Sequence, residues 1–150
     1  MGSRLSSKTA ARQDFMPLMR ALVRAYQGFA AFDADGHRIA GLTVPQADVI
    51  FALGIAGSMT FRDIGEHTLI SKGTLTGVID RLEGKRLVRR VTSKADQRCT
   101  QVILTDSGAR LFEQHFPRQV DYLKQRFDRL SRTEKAEATR LLEKLAAAFW

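Results

Sequence analysis

The sequence has little cysteine, few prolines and no long apolar run. Cysteine occurs once, as Cys99, so no internal disulfide can form, and a disulfide-framed secreted fold is excluded. A reducing, cytoplasmic setting is the expectation. No stretch of about 18 apolar residues exists, so no membrane-spanning helix is expected. The opening "MGSRLSSKTAARQD" has no apolar centre, and no secretory leader is expected there. Glycine-rich phosphate loops, G-x-S-x-G, C-x-x-C and H-x-x-x-H spacings are all missing. The three histidines, His37, His67 and His115, are scattered along the chain. No catalytic residue, metal ligand or cofactor is therefore assigned, and an enzyme has no residues to stand on.

What is present suits one compact domain. The chain has 150 residues, of which 44% are hydrophobic. Its net charge is +8, and this charge is concentrated. Residues 71–98 hold eight basic and three acidic side chains, a net +5. A basic segment of this kind is the footprint of a polyanion partner, with a merely solvated surface as the plainer reading.

Apolar periodicity predicts six helices. Phe15, Leu18, Leu22, Tyr26 and Phe29 make one stripe over residues 14–32, and "DADGH" (33–37) reads as a turn. Thr43, Pro45 and Gln46 open a second helix as a capping box. Thr60 with Asp63 opens a short third, and Ser71 caps a fourth over residues 71–83. Two short helices so joined have helix-turn-helix spacing. "RLVRRVT" and "TQVILT" then read as two strands around the tip "SKADQR". A fifth helix starts at Thr105, with a kink or break expected at Pro117, and "SRTE" (131–134) caps a sixth. The class is mainly α with a small β-hairpin, in the order ααααββαα.

The fourth helix opens with small polar residues. There, backbone N–H groups and the helix dipole attract phosphate. Ser71, Lys72, Gly73, Thr74 and Thr76 supply this pattern. Gly73 and Gly77 each cost about 1 kcal/mol of helix propensity against alanine. Close approach to another backbone or, for Gly77, close helix packing would explain them. Arg98 at the hairpin tip has the right chemistry for a narrow minor groove, and Asp96 can orient it or pair with Arg81 or Arg90.

Taken together, the "LT..Q" opening, "DIGEHTLISKGTLTGVIDRLE", the D-x-R tip and "LTDSG" resemble the MarR family of winged helix-turn-helix regulators. The likeness extends over residues 14–150. It implies a single domain over 1–150, with a winged helix-turn-helix at about 43–104 and dimerisation helices at about 14–32 and 105–150. It further implies a cytoplasmic homodimer on a pseudo-palindromic double-stranded DNA operator, acting as a repressor. Ser71, Lys72, Gly73, Thr74, Thr76 and Arg81 would serve the major groove. Lys94, Asp96, Gln97 and Arg98 would serve the wing. Release by a small aromatic or anionic effector is implied, with Leu22, Tyr26, Phe29, Phe51, His67, Phe112, His115 and Phe116 as candidate lining. Their plainer reading is core packing. An architectural DNA-binding protein without effector, or a metal or redox sensor using Cys99, are the alternatives. Glycine is common in the family where this chain has Arg86, a site that follows a helix and favours left-handed backbone.

Overall fold

The computed structural model describes residues 6–92 and 100–149. Within them run helices α1 (Ser7–Ala10), α2 (Met16–Arg38) and α3 (Val44–Ala56), strand β1 (Ser58–Thr60), and helices α4 (Phe61–Thr68) and α5 (Lys72–Gly84). Strands β2 (Val88–Thr92) and β3 (Thr100–Leu104) follow, then helices α6 (Asp106–Phe127) and α7 (Arg132–Ala147).

The core is built around α3. Val49, Ile50 and Leu53 meet Ile64 of α4, Leu75, Val78, Ile79 and Leu82 of α5, and Val88 and Val102 of the sheet. Each fully buried aliphatic side chain contributes about 1.5–3 kcal/mol. The α4–α5 unit is set by its caps. The Thr60 N–H donates to Asp63 Oδ2 (3.3 Å) and the Asp63 N–H to Thr60 Oγ1 (3.1 Å), closing the expected box. Leu69 then turns left-handed at φ 58°, and Ser71 Oγ accepts from the Thr74 N–H at 3.4 Å. Two helix axes are thereby joined within three residues.

Three expectations are corrected. The hairpin is part of a three-stranded antiparallel sheet of order β1-β3-β2. Strand β1 pairs Ser58 with Ile103, Met59 with Val102 and Thr60 with Gln101. Three residues are too few to display alternation, so only the pairing with β3 defines β1. Second, residues 33–37 are not a turn, because α2 runs through them to Arg38. Tertiary contacts, described below, stabilise what local propensity disfavours. Third, α6 is one helix across Pro117, with no break. Arg86 has φ 59°, so the left-handed position following α5 is occupied by a residue with a side chain.

Apolar surface remains at the ends. Phe15, Leu18, Val23, Tyr26 and Phe29 of the α2 region are exposed, as are Phe127, Leu130, Leu141, Leu142 and Phe149. Helix α7 buries no residue at all. No helix among the described residues is long and apolar enough to cross a membrane.

Candidate functional site

Helix α5 divides sharply into two faces. Leu75, Val78, Ile79 and Leu82 are buried, while Ser71, Lys72, Gly73, Thr74, Thr76 and Arg81 are exposed. Ser71 Oγ also donates to Thr74 Oγ1 at 3.0 Å. No atom lies within 4 Å of a Cβ built on Gly73, and only the Arg81 side chain approaches one at Gly77. Close helix packing therefore does not explain Gly77. Gly73 leaves open space on the outward face, and Gly77 is approached only by the Arg81 side chain. Lys94, Asp96, Gln97, Arg98 and Cys99 lie outside the described residues.

The root of the wing is tied to α5 by Arg90. Its guanidinium donates to Asp80 Oδ1 at 2.6 Å and to Glu83 Oε2, and it lies 5.3 Å from the centre of the Phe61 ring. The Arg90 backbone N–H adds a bond to Glu83 Oε1 at 3.2 Å. One arginine thus links β2, α5 and α4. It also neutralises two acids on the helix that would oppose a polyanion. The sequence reading paired Arg90 with Asp96 as one option and did not see Asp80 or Glu83 as its partners. Their spacing of seven and ten residues crosses a strand boundary and carries no local signal.

Where α2, α3 and α6 meet, a polar cluster is buried. His37 (2% exposed) and His115 (6%) are joined from Nδ1 to Nε2 at 3.0 Å. His37 Nε2 faces Asp33 Oδ1 at 3.4 Å. Gln119 (3% exposed) donates from Nε2 to Asp33 Oδ1 at 2.7 Å and to the Asp33 carbonyl at 3.2 Å. Both Asp33 groups accept, so the Gln119 amide nitrogen must face them, and Gln119 Oε1 is left with no partner. Gly36 makes the arrangement possible, because a Cβ there would lie 2.1 Å from Gln119 Oε1. The polar residues that read as a turn are therefore the residues that hold α2 to α6.

Burial governs the electrostatics. It pushes His37 below its ordinary value, and Asp33 opposes it. Burial also lowers His115, aided by His37 and Arg118 and opposed by Asp33. Burial first, then Asp33, raises the carboxyl of Asp48 on α3 to about 6. Among the described residues no group of three or more donors is placed to hold a metal ion.

The candidate effector residues separate into several places. Phe51, Phe112, His115 and Phe116 form one aromatic cluster, with Phe51 and Phe116 centres 4.9 Å apart and Phe112 stacked on Phe116 at 5.1 Å. His67 is exposed and shares a cavity of about 210 Å³ with Asp48 and Phe51. Phe29 lines a groove of about 520 Å³ with Phe32 and Arg126, and Leu22 lines another of about 240 Å³ with Phe15 and Phe149. Tyr26 is exposed at 68%. A further cavity of about 270 Å³ has Gly36, His115 and Gln119 as its floor and Arg118, Gln114 and Ile39 at its mouth. The sequence offers His37, with Asp33 near it, only as a scattered candidate metal ligand, and it does not single out Gly36, Arg118 or Gln119. The four-residue spacing of Asp33 and His37 was the available signal, and it was hidden by ending the helix at 32.

Comparison with known proteins follows the same lines. The MarR family model matches residues 40–98. The HTH-type transcriptional regulator MhqR of Bacillus subtilis is 30% identical over 130 residues, covering 87% of this chain and 90% of its own. Among solved structures, Bordetella bronchiseptica BpsR, described with regulation of its DNA binding by 6-hydroxynicotinic acid, superposes with TM-score 0.76. Its identity is 30%, over 87% of this chain and 98% of BpsR. A cysteine-to-serine mutant of Escherichia coli MarR in complex with operator DNA gives TM-score 0.77 at 26% identity, over 89% of this chain and 98% of that one. With its helix-turn-helix, its three-stranded sheet and these relatives, the chain belongs to the MarR family of transcriptional regulators.

Proposed function

We propose that the protein is a homodimeric repressor that binds a pseudo-palindromic operator and releases it when a small aromatic or anionic ligand binds. The polar, exposed opening of α5 above a fully buried opposite face carries the DNA-binding part. Ser71, Lys72, Gly73, Thr74, Thr76 and Arg81 would meet the major groove, with Lys94, Asp96, Gln97 and Arg98 in the wing and Arg98 in the minor groove. The solved structure of E. coli MarR with operator DNA supports DNA binding by this fold. Helix α7, which buries nothing, and the exposed aromatic end of α2 support a second copy as their cover. Two-fold symmetry would set the recognition helices roughly 34 Å apart.

The effector reading rests on the cavity over Gly36, His115 and Gln119. Its floor offers an unpartnered buried acceptor, Gln119 Oε1, and its mouth a guanidinium, Arg118. A small acid that also carries an O–H or N–H donor satisfies both. The control of BpsR by 6-hydroxynicotinic acid, an aromatic acid with a hydroxyl, supports that class. Selection of bound genomic fragments by the purified protein tests the whole. A recovered palindrome released by a hydroxylated aromatic acid is expected. Indiscriminate recovery would indicate an architectural DNA-binding protein, and no recovery would overturn the reading. Arg98→Ala should weaken binding to the recovered fragment without dissociating the dimer.

A further inference from the structure

The buried Asp33–His37–His115 chain has a property that follows from hydrogen counting. His37 Nε2 faces the Asp33 carboxylate, which only accepts, so this nitrogen carries the proton. In the neutral ring, His37 Nδ1 is then an acceptor, and His115 Nε2 must donate across the 3.0 Å contact. A single added proton is tolerated. It can sit on His37 Nδ1, making an ion pair with Asp33, while His115 changes tautomer and accepts. A second proton is not tolerated, because both facing nitrogens would then be donors and two cations would be buried in contact.

We propose that this cluster makes DNA binding proton-sensitive: acid breaks the His37–His115 bridge, loosens the end of α2 against α6, and weakens the hold on the operator. The inference rests on the DNA-binding reading above. The bridge lies at the joint between the helices assigned to dimerisation and α3, whose other faces carry the core of the α4–α5 unit. Losing it lets the two lobes pivot, so the recognition helices are no longer held at a fixed spacing. The charged groups acting on the pair are Asp33 from α2 and Arg118 from α6, and Asp48 from α3 interacts with Asp33. Asp33 favours protonation of the pair and Arg118 opposes it. Asp48 titrates in the opposite sense for stability. Its folded carboxyl keeps a proton up to about pH 6, so acid favours the fold there, whereas the lowered histidines disfavour it below about pH 6.5.

The test uses the full-length protein and a fluorescent duplex recovered by the genomic selection. Between about pH 7.5 and pH 5.5 wild-type affinity should fall about fivefold, approaching at lower pH the roughly tenfold limit that a tenfold difference in proton affinity between bound and free forms sets. His115→Gln keeps a donor for His37 Nδ1 but cannot charge, and His37→Gln keeps one donor and one acceptor. Each should bind at pH 7.5 and lose most of the pH response. A second measurement needs no DNA: ring resonances of wild-type His37 and His115 should titrate jointly below pH 6.5, with faster amide exchange in α2 and α6. The proposal is overturned by a flat wild-type profile, by a His115→Gln profile equal to wild type, or by two independent histidines titrating at the ordinary value.

Discussion

Gly36→Ala puts two opposed effects on one site, and their sizes decide the sign. In an open helix the change should stabilise, because alanine is favoured over glycine by about 0.8–1.0 kcal/mol. Here the new methyl group would lie 2.1 Å from Gln119 Oε1 and 2.8 Å from both Gln119 Cδ and Nε2, so the whole amide must leave. Its departure loses a bond to the Asp33 carboxylate, worth about 1.5–3 kcal/mol, and one to the Asp33 carbonyl, worth about 0.5–1.5 kcal/mol. The net is a loss of about 1–3 kcal/mol. In a chain of this size each kcal/mol moves the melting temperature by about 2–4 °C. Thermal unfolding at fixed protein concentration should therefore show a drop of roughly 2–12 °C. In a Gln119→Ala background the amide is absent, and the same Gly36→Ala change should stabilise by the helix-propensity gain. Additivity of the two changes within about 0.5 kcal/mol would refute the packing of Gly36 against Gln119. So would a single variant that melts above wild type.

Arg86→Gly should raise stability by about 0.5–1 kcal/mol, because relief of left-handed strain of about 1–2 kcal/mol exceeds the added freedom of the unfolded chain; a lower denaturation midpoint would contradict this. Arg90→Ala should leave a folded protein whose operator affinity is at least about tenfold weaker, since Asp80 and Glu83 then face the DNA without a counter-charge. Arg90→Lys, which keeps charge but not the forked geometry, should fall between, and equal affinity of all three proteins would remove Arg90 from the interface.

Most helix starts were legible because their signals are local. Thr60 with Asp63, Ser71, Thr105 and the Ser131–Glu134 box are caps within three residues of their partners, and each stands where it was expected. The apolar stripe of α5 likewise identified its buried face. The α2–α6 joint was not legible, because every contact that defines it spans about eighty residues. Asp33, Gly36 and His37 are poor helix residues in isolation. Only Gln119 and His115 turn them into a helix interior, and nothing near residue 33 announces either partner. Strand β1 fails for the same reason, since three residues become a strand only beside β3. Of the effector candidates that the resemblance implied, Phe51, Phe112, His115 and Phe116 come together in one cluster, whereas Tyr26 lies at the surface, a separation that depends on contacts between distant helices.

What the cavity accepts can be narrowed further by its one unsatisfied atom. An anion alone pairs with Arg118 at an exposed mouth, where screening keeps a charge contact to about 1 kcal/mol or less. The floor is different. Gln119 Oε1 is buried, and an acceptor left unpaired there costs about 1–3 kcal/mol. A ligand that donates to it recovers that amount, and a ligand of the same shape without the donor does not. A hydroxylated aromatic acid should therefore bind roughly 5–150-fold more tightly than the same acid lacking the hydroxyl, while removing its carboxylate should matter less. Calorimetry on the free protein with the three matched compounds measures both differences directly. Replacing Gln119 by Leu should abolish the advantage of the hydroxyl and leave the contribution of the carboxylate unchanged. Equal affinity of the hydroxylated and unhydroxylated acids for the wild-type protein would mean that Gln119 does not select a ligand and would remove the support this cavity gives to the proposed effector.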